Sequence, residues 1–227
     1  MPSHTIICLA NSRKTGGRCV AGLRTDGRGW IRPVSSCVNG ELLILHYTYE
    51  DGRQARVLDV VDIEFAEPKP SVYQPENWLI DDAFYWTLVR RPASKTELNL
   101  VLENITAGPL VFGDARDRVP LSTLQGTPID QSLVLVEPED VLWHKTTNIK
   151  GKTQIRTRFA LGGVNYDLGV TDPIWEAKLG ADDIALGDYR SAQLGIDDHQ
   201  RILFTLSLGE PFKGDCYKLV AAAFALP

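Results

Sequence analysis

Apolar and polar residues alternate along most of this chain of 227 residues. Successive side chains of a β-strand point to opposite faces, so alternation with period two predicts strands that bury one face. In residues 55–65, for example, Val61, Ile63 and Phe65 share one predicted face, whereas Asp62 and Glu64 share the other. The predicted strands are residues 4–10, 18–23, 30–34, 55–65, 132–137, 141–145, 153–161, 164–170, 201–208 and 216–225.

Glycines mark the turns between several of these strands. Gly162 and Gly163 separate two alternating segments, and two glycines at that position favour a tight hairpin because both accept positive φ. Gly27 and Gly29 predict a second hairpin between residues 18–23 and 30–34.

Helices are predicted at few places. Ser94 and Glu97 have the spacing of a capping box, and apolar residues follow at helical spacing, which predicts a helix over 94–105. Asp172 before Pro173 predicts the start of a short helix. Residues 74–86 are interpreted as a loop leading into a short helix, residues 108–113 as a short strand or connector, and residues 114–131 as a polar loop.

This rhythm of short strands with one or two helices occurs twice along the chain. It predicts an all-β fold with minor helices, arranged as two tandem OB-like barrels, because a five-stranded OB barrel suits about 100 residues. We assign residues 1–115 to a first barrel with a helical insert and residues 116–227 to a second barrel. One large sandwich would give similar signals.

Composition and charge limit the function classes. Hydrophobic residues make up 44% and charged residues 23%, which is typical of a globular protein and excludes a mainly disordered chain. The net charge of −5 excludes a protein that coats nucleic acid by bulk charge, so such a role needs a local basic patch. No apolar run approaches the length of a membrane span. The four cysteines form no CxxC pair; three of them lie in or beside apolar runs and are interpreted as buried thiols, and a reducing cytoplasm is the expected compartment.

Several segments together resemble a known family. They are IICLANSRK, GGRCVAG and GWIRPVS near the start, LDVVDIEF and YQPENWLID in the middle, and SLGEPF and GDCYKLVAAAF near the end. In this order they resemble the dual OB-fold domain family of bacteria and archaea. The resemblance covers most of the chain and implies two tandem OB-like barrels, a nucleic-acid-binding role and an association with defence and mobile-element genes.

The first candidate site is the basic N-terminal segment. Residues 1–35 carry six arginines and lysines against the single acid Asp26. Glycines that follow Arg13 and Lys14 would let backbone amides approach a phosphate, and Trp30 would stack on a base. The candidate nucleic-acid contacts here are Asn11, Arg13, Lys14, Arg18, Trp30 and Arg32. The alternative is an ordinary solvated strand face with Trp30 in the core.

The second candidate is the predicted hairpin at 153–170. Lys152, Arg156 and Arg158 precede the first acid, Asp167, and alternation places the two arginines on one face. Evenly spaced cations on a sheet suit a phosphate backbone. Alternatively they form a solvated face, or pair with the acidic segment 172–198 within the molecule.

The third candidate is the turn between the last two strands. Lys213, Tyr217 and Lys218 lie there beside Phe212, and interleaved aromatic and cationic residues suit a nucleotide. The alternative is a plain hairpin with Tyr217 in the core.

Catalytic chemistry has little support in the sequence. Asp81 and Asp82 could hold Mg²⁺ or act as acid and base, but acids are also common where a helix begins. There is no P-loop and no nucleophile elbow. We therefore predict no catalytic residue, no metal and no cofactor.

Three functions remain as hypotheses. The first is a non-enzymatic module that binds DNA, RNA or a nucleotide end and serves a prokaryotic defence or mobile-element system. The second is a protein-interaction adaptor in a defence complex with a partner such as a nuclease or an ATPase, without affinity for nucleic acid. The third is an enzyme that acts on nucleotides through Asp81 or Asp82.

Overall fold

The structure is a computed structural model that describes residues 2–148, 150–181, 183–196 and 200–226. The chain divides into two compact units. Unit 1 comprises Met1–Asn104 and Ile129–Ser132, and unit 2 comprises Ile105–Pro128 and Leu133–Pro227. Both are built mainly from β-strands, so the predicted all-β class with minor helices is confirmed.

Unit 1 is a closed five-stranded barrel with one additional strand. Its strands are β1 (Ser3–Lys14), β2 (Gly17–Arg24), β3 (Trp30–Val34), β4 (Val60–Pro68), β5 (Asn77–Ile80) and β6 (Thr87–Arg90). The sheet order is β1-β2-β3-β5-β4-β6, and a further pairing of β1 with β4 closes the ring. The β3–β5 pair is parallel. This order is that of an OB barrel.

Strand β1 pairs with two strands, because it is long and has an irregularity at its centre. Its first residues pair with β4 and its later residues pair with β2, with a register shift between Cys8 and Ala10. Buried residues from β1, β2, β3 and β4, including Ile6, Val20 and Ile63, form the core of unit 1.

Unit 2 repeats the arrangement. Its strands are β7 (Arg118–Pro120), β8 (Leu133–Val136), β9 (Glu139–Thr147), β10 (Thr153–Leu161), β11 (Val164–Val170), β12 (Gly187–Arg190), β13 (Ile202–Phe212) and β14 (Asp215–Ala225). The sheet order is β12-β9-β10-β11-β14-β13-β8, and β7 forms an additional antiparallel pair with β14. Only Glu137 and Pro138 separate β8 from β9. When β8 and β9 are counted as one interrupted strand, this strand pairs with β10 through β9 and with β13 through β8, which closes a five-strand ring like that of unit 1. The parallel pair of this ring is β11 and β14. The predicted pair of OB-like barrels is confirmed.

The α-helices of the described residues are α1 (Lys95–Glu103), α2 (Leu121–Gly126) and α3 (Pro173–Gly180). Helix α3 closes the core of unit 2 and begins where the Asp172-Pro173 signal predicts. The Asp172 carboxylate accepts hydrogen bonds from the backbone N–H groups of Ile174 and Ala223, at 2.9 and 3.0 Å. Trp175 of α3 stacks on Trp143 of β9, with ring centroids 3.6 Å apart. The helix is therefore held by both its cap and its packing.

Two other local predictions are confirmed. Helix α1 (Lys95–Glu103) begins after Ser94, whose backbone N–H donates to the Glu97 carboxylate at 2.6 Å. Gly162 and Gly163 join β10 to β11 with φ values of 52° and 82°.

Three predictions of local structure are wrong. Residues 77–80 form strand β5 rather than the start of a helix. The polar segment 114–131 contains β7 and helix α2 (Leu121–Gly126). The strand predicted over 55–65 begins only at Val60, because Leu58 has a φ of 68° and interrupts the extended backbone. In the described part of the chain no helix is both long and apolar enough to cross a bilayer.

Candidate nucleic-acid interface

Unit 1 has no open face on its second and third strands, where OB barrels bind oligonucleotides. All five residues of β3 are buried, and those of β2 are buried or half-buried. Trp30 is 7% exposed, so neither face of its ring is available to a base. Of the two environments considered for Trp30 from the sequence, the structure shows the buried one.

Arg32 lies at the centre of a buried polar network in unit 1. It is 2% exposed, and its Nε donates to the Glu76 carboxylate at 3.0 Å. Its Nη2 donates to the Ser132 hydroxyl at 2.7 Å, and the Ser132 N–H donates to Glu76 at 3.0 Å. The charge of Arg32 is therefore balanced inside the unit and does not face solvent.

The β1–β2 hairpin presents the other N-terminal candidates. Arg13 is exposed, whereas Lys14 and Arg18 are half-buried. The Lys14 ammonium donates to the backbone carbonyl of Asn39, and the Asn11 amide donates to that of Ala55 at 2.8 Å.

An acid lies beside this turn. A Cβ added to Gly16 would meet the Glu41 carboxylate at 3.8 Å. Because a carboxylate repels phosphate, the hairpin is a weaker anion site than its composition indicates.

The basic residues of β10 lie on an open sheet face but are paired with acids. Arg156 Nε is 2.6 Å from Asp167, and Arg158 is 3.4 Å from Asp167 and 3.5 Å from Asp188. Asp188 also contacts the His144 ring. Asp188 belongs to the acidic segment 172–198, so the internal pairing considered from the sequence is present. The Lys152 side chain, in the β9–β10 turn, is exposed.

The β13–β14 turn carries an exposed aromatic and cationic cluster. Phe212 is 62% exposed, and the Lys213 ammonium lies 5.5 Å from its ring centroid. The Tyr217 ring is 6.5 Å from that of Phe212. The Arg118 guanidinium lies 4.7 Å from the Tyr217 ring and donates to its hydroxyl at 3.0 Å.

Lys218 points to the opposite side of the sheet from Tyr217, as strand alternation requires. It is 1% exposed, and its ammonium donates to the carbonyls of Asp114 and Arg116 at 2.6 and 2.7 Å. Burial lowers the pKa of Lys218 to about 8. This lysine holds the segment 114–116 and does not reach solvent.

The arginines of β10 and the aromatic cluster share one outer face of unit 2. Gly169 of β11 pairs with Leu219 of β14, and alternation along the two strands places Asp167 and Tyr217 on the same side of the sheet. Arg118 of β7 is the direct pairing partner of Tyr217. We call this surface, formed by Arg118, Arg156, Arg158, Asp167, Phe212 and Tyr217, the unit 2 outer face.

Sequence reasoning did not include Arg118 in the candidate set and mentioned Phe212 only as a neighbour. Arg118 lies in the segment interpreted as a loop, and its strand is three residues long with a partner about a hundred residues away. The pattern Glu210-Pro211-Phe212 before a Lys213-Gly214 turn was the available signal for an exposed aromatic residue at a hairpin tip.

The carboxylates considered for catalysis are not gathered into a site. The Asp81 carboxylate accepts from the Ala83 N–H at 3.1 Å and shapes a turn, and Asp82 is exposed. Among the described residues, no group of three or more histidine, cysteine, aspartate or glutamate side chains could hold a metal ion.

These two closed barrels define a protein with two OB domains. The chain belongs to the dual OB-containing domain family, whose model matches residues 4–223. The family resemblance noted from the sequence is thereby confirmed. No curated protein matches the chain.

Solved structures give only distant matches. The HINa domain of Ifi202 in complex with 20-bp double-stranded DNA is 8% identical, covers 99% of this chain and 95% of its own, and has a TM-score of 0.35. A murine DNA-binding protein bound to double-stranded DNA is 8% identical at 100% and 98% coverage, also with a TM-score of 0.35. The tetrameric p202 HIN2 is 6% identical at 100% and 96% coverage, with a TM-score of 0.32. At these TM-scores the matches bear on neither a function nor a site in this chain.

Proposed function

We propose that the protein binds single-stranded nucleic acid, or an unpaired end, through the unit 2 outer face. The observation that carries this proposal is the exposed ring of Phe212 beside Lys213 and the Arg118–Tyr217 pair. An aromatic side chain exposed beside Lys213 at the turn between the fourth and fifth strands of an OB barrel is suited to stack on a base. The charge of Arg118 is shared with Asp117 at 2.8 Å and Asp215 at 3.7 Å, so its part in the proposal is to hold the Tyr217 ring.

Stacking favours unpaired bases. Bases within a duplex are already stacked on their neighbours, so an exposed ring reaches a base face only in single strands, loops or ends. Stacking on an aromatic ring contributes about 1–3 kcal/mol per base and tolerates any base, because every base has a π-face. The proposed binding is therefore independent of sequence.

Phosphate contacts contribute less than the number of cations indicates. Arg156 and Arg158 already pair with Asp167 and Asp188, so a phosphate has to replace or share these partners. Arg158 is better placed than Arg156 to bind a phosphate, because its contacts with Asp167 and Asp188 are longer than the Arg156–Asp167 contact. The five N–H donors of its guanidinium can serve a phosphate and these acids together. Lys152 and Lys213 are exposed and complete the proposed phosphate contacts.

In unit 1, only the β1–β2 hairpin is proposed to contact nucleic acid. Arg13, Lys14, Arg18 and Asn11 are kept as a separate, weaker candidate for phosphate contacts on unit 1 alone. Trp30 and Arg32, together with Lys218 of unit 2, are omitted because they are buried.

For the biological setting, we propose an accessory role in a prokaryotic defence or mobile-element system. DNA or RNA would be the ligand, and a nuclease or an ATPase would be a partner protein. This part rests on the family resemblance alone.

The direct test is fluorescence anisotropy with a labelled oligothymidine of about 12 nucleotides, within the range that one OB fold covers. We expect binding below about 100 µM at low salt, with a modest decrease as salt rises. Phe212→Ala should weaken binding by about 5- to 150-fold, the equivalent of one lost stacking contact.

The matched control is Phe84→Ala, which removes an exposed aromatic ring from unit 1. It should bind like the unmodified protein. Absence of binding at low salt, or equal affinity of the Phe212→Ala variant, would contradict the proposal.

A further inference from the structure

Unit 1 contains a cleft that the proposed nucleic-acid interface does not use. Its volume is about 670 Å³, within the range of small-ligand sites. One wall is the turn from Tyr49 to Arg53, and the other is the segment from Ala83 to Leu88.

The floor of the cleft is held firmly. Tyr49 and Trp86 form a parallel bridge between the two walls, and both side chains are buried. The Tyr49 hydroxyl donates to the Asp59 carboxylate at 2.7 Å. The turn itself is closed by the Tyr49 N–H, which donates to the Arg53 carbonyl at 2.7 Å. The cleft is therefore formed by the fold and needs no rearrangement to exist.

Two exposed aromatic rings line one wall. Phe84 and Tyr85 are 48% and 60% exposed. Neighbouring exposed aromatic residues are uncommon on a surface without a binding role, since each leaves a large apolar area in water.

The rim is acidic. Glu50 and Asp51 lie on the opposite wall from the rings, and Asp81 and Asp82 directly precede the aromatic wall. Arg53 is the one base among the lining residues, and it pairs with Asp51 at 2.6 Å. Arg91 lies 6.0 Å from the Tyr49 ring, but its charge is balanced by Asp59 at 2.5 Å. Acids thus outnumber bases around the cleft.

Carboxylates beside exposed aromatic faces select cations and repel phosphates. We propose that this cleft binds an arginine side chain presented by a basic segment of a partner protein. Arginine fits better than lysine because its planar guanidinium stacks on an aromatic face and pairs with a carboxylate in two-point geometry. The site gives the protein a second, chemically opposite surface that does not depend on nucleic-acid binding.

The test is a titration of the isotopically labelled full chain, followed by amide chemical shifts. The probe is a short, acetylated and amidated peptide of alternating glycine and arginine. Its matched control replaces each arginine with citrulline, which keeps the shape and removes the charge. We expect the arginine peptide to shift resonances in residues 49–53 and 83–88, and the citrulline peptide to leave them unchanged.

Variants locate the site. Tyr85→Ala and Glu50→Gln should each weaken peptide binding by about 2- to 30-fold, the range of one cation–π or ion-pair contact. Phe84→Leu retains an apolar side chain without a π-face and should weaken binding as well. Phe212→Ala, in unit 2, should have no effect. Thermal melts confirm that each variant is folded.

Three results would overturn the proposal. The first is equal binding of the citrulline peptide, and the second is the absence of shifts at millimolar peptide. The third is binding of free spermidine as tightly as the arginine peptide, which would make the cleft a polyamine site rather than a protein-docking site.

Discussion

The two barrels have the same strand order but place their second and third strands in different environments. In unit 1, β3 is buried throughout, and Arg32 on this strand forms an internal ion pair. In unit 2, β10 and β11 have an open outer face, and Arg158 on β10 is about half exposed. Topology alone therefore does not determine which strand faces of an OB barrel are exposed.

The function of a fold depends on which of its faces stays open to a ligand. A strand arginine is a structural residue in unit 1 and a candidate binding residue in unit 2.

The largest effect is expected at the buried ion pair of unit 1. Glu76→Ala leaves the Arg32 guanidinium buried without its carboxylate, and such a loss costs about 3–5 kcal/mol of unfolding free energy. Urea denaturation measures it. The control is Glu67→Ala on β4, where the side chain is exposed. A loss below about 1 kcal/mol for Glu76→Ala would show that Arg32 is not confined as described.

The second effect concerns the buried lysine of unit 2. The pKa of Lys218 is about 8 in the folded protein and 10.5 in the reference state, so between these pH values the unfolded chain binds more protons. Stability should therefore rise with pH across this window, by at most about 3 kcal/mol.

The comparison is with Lys218→Met, which lacks this titration. The difference in unfolding free energy between the two proteins, measured by urea denaturation from pH 7 to pH 10, isolates the lysine from other groups. If the difference in unfolding free energy did not change with pH above 8, the lowered pKa of Lys218 would be contradicted.

The third effect is a difference in oligothymidine affinity between variants of an aromatic residue in each barrel. Tyr217→Ala should weaken oligothymidine binding by about 1–3 kcal/mol, because a stacking surface is lost from the unit 2 outer face. Trp30→Phe in unit 1 should leave affinity unchanged, since Trp30 is buried. Fluorescence anisotropy measures both. A larger loss of affinity for Trp30→Phe than for Tyr217→Ala would reverse the assignment of the binding face.

The smallest effect is expected at the exposed arginine of β10. Arg158→Ala should change the unfolding free energy by less than about 1 kcal/mol, because its contacts to Asp167 and Asp188 are long and partly solvated. The same variant should reduce the slope of log affinity against log salt by about 0.7, the value for one phosphate contact on a single strand. An unchanged slope would remove Arg158 from the interface.

Much of the fold could be predicted where local chemistry fixes the backbone. The Gly162-Gly163 turn, the Ser94–Glu97 capping box and the Asp172-Pro173 helix start all act within a few residues, and each prediction is confirmed. Strand β5 could not be recognised, because it has four residues and its partners β3 and β4 are set by the tertiary structure.

The candidate site was less predictable for a similar reason. Whether a strand residue faces solvent depends on contacts that are distant in sequence. Arg32 meets Glu76 44 residues away, and Lys218 meets Asp114 104 residues away. The local basic excess was visible in the sequence, but its neutralisation by Asp167 and Asp188 required the sheet pairing.

Photo-cross-linking of the full chain to an oligonucleotide that contains iodouridine, followed by identification of the cross-linked peptide, tests whether the unit 2 outer face binds nucleic acid. We expect cross-links to Phe212 or Tyr217, which present aromatic rings on the unit 2 outer face. Cross-links confined to unit 1, at Trp30 or within residues 83–88, would contradict this expectation.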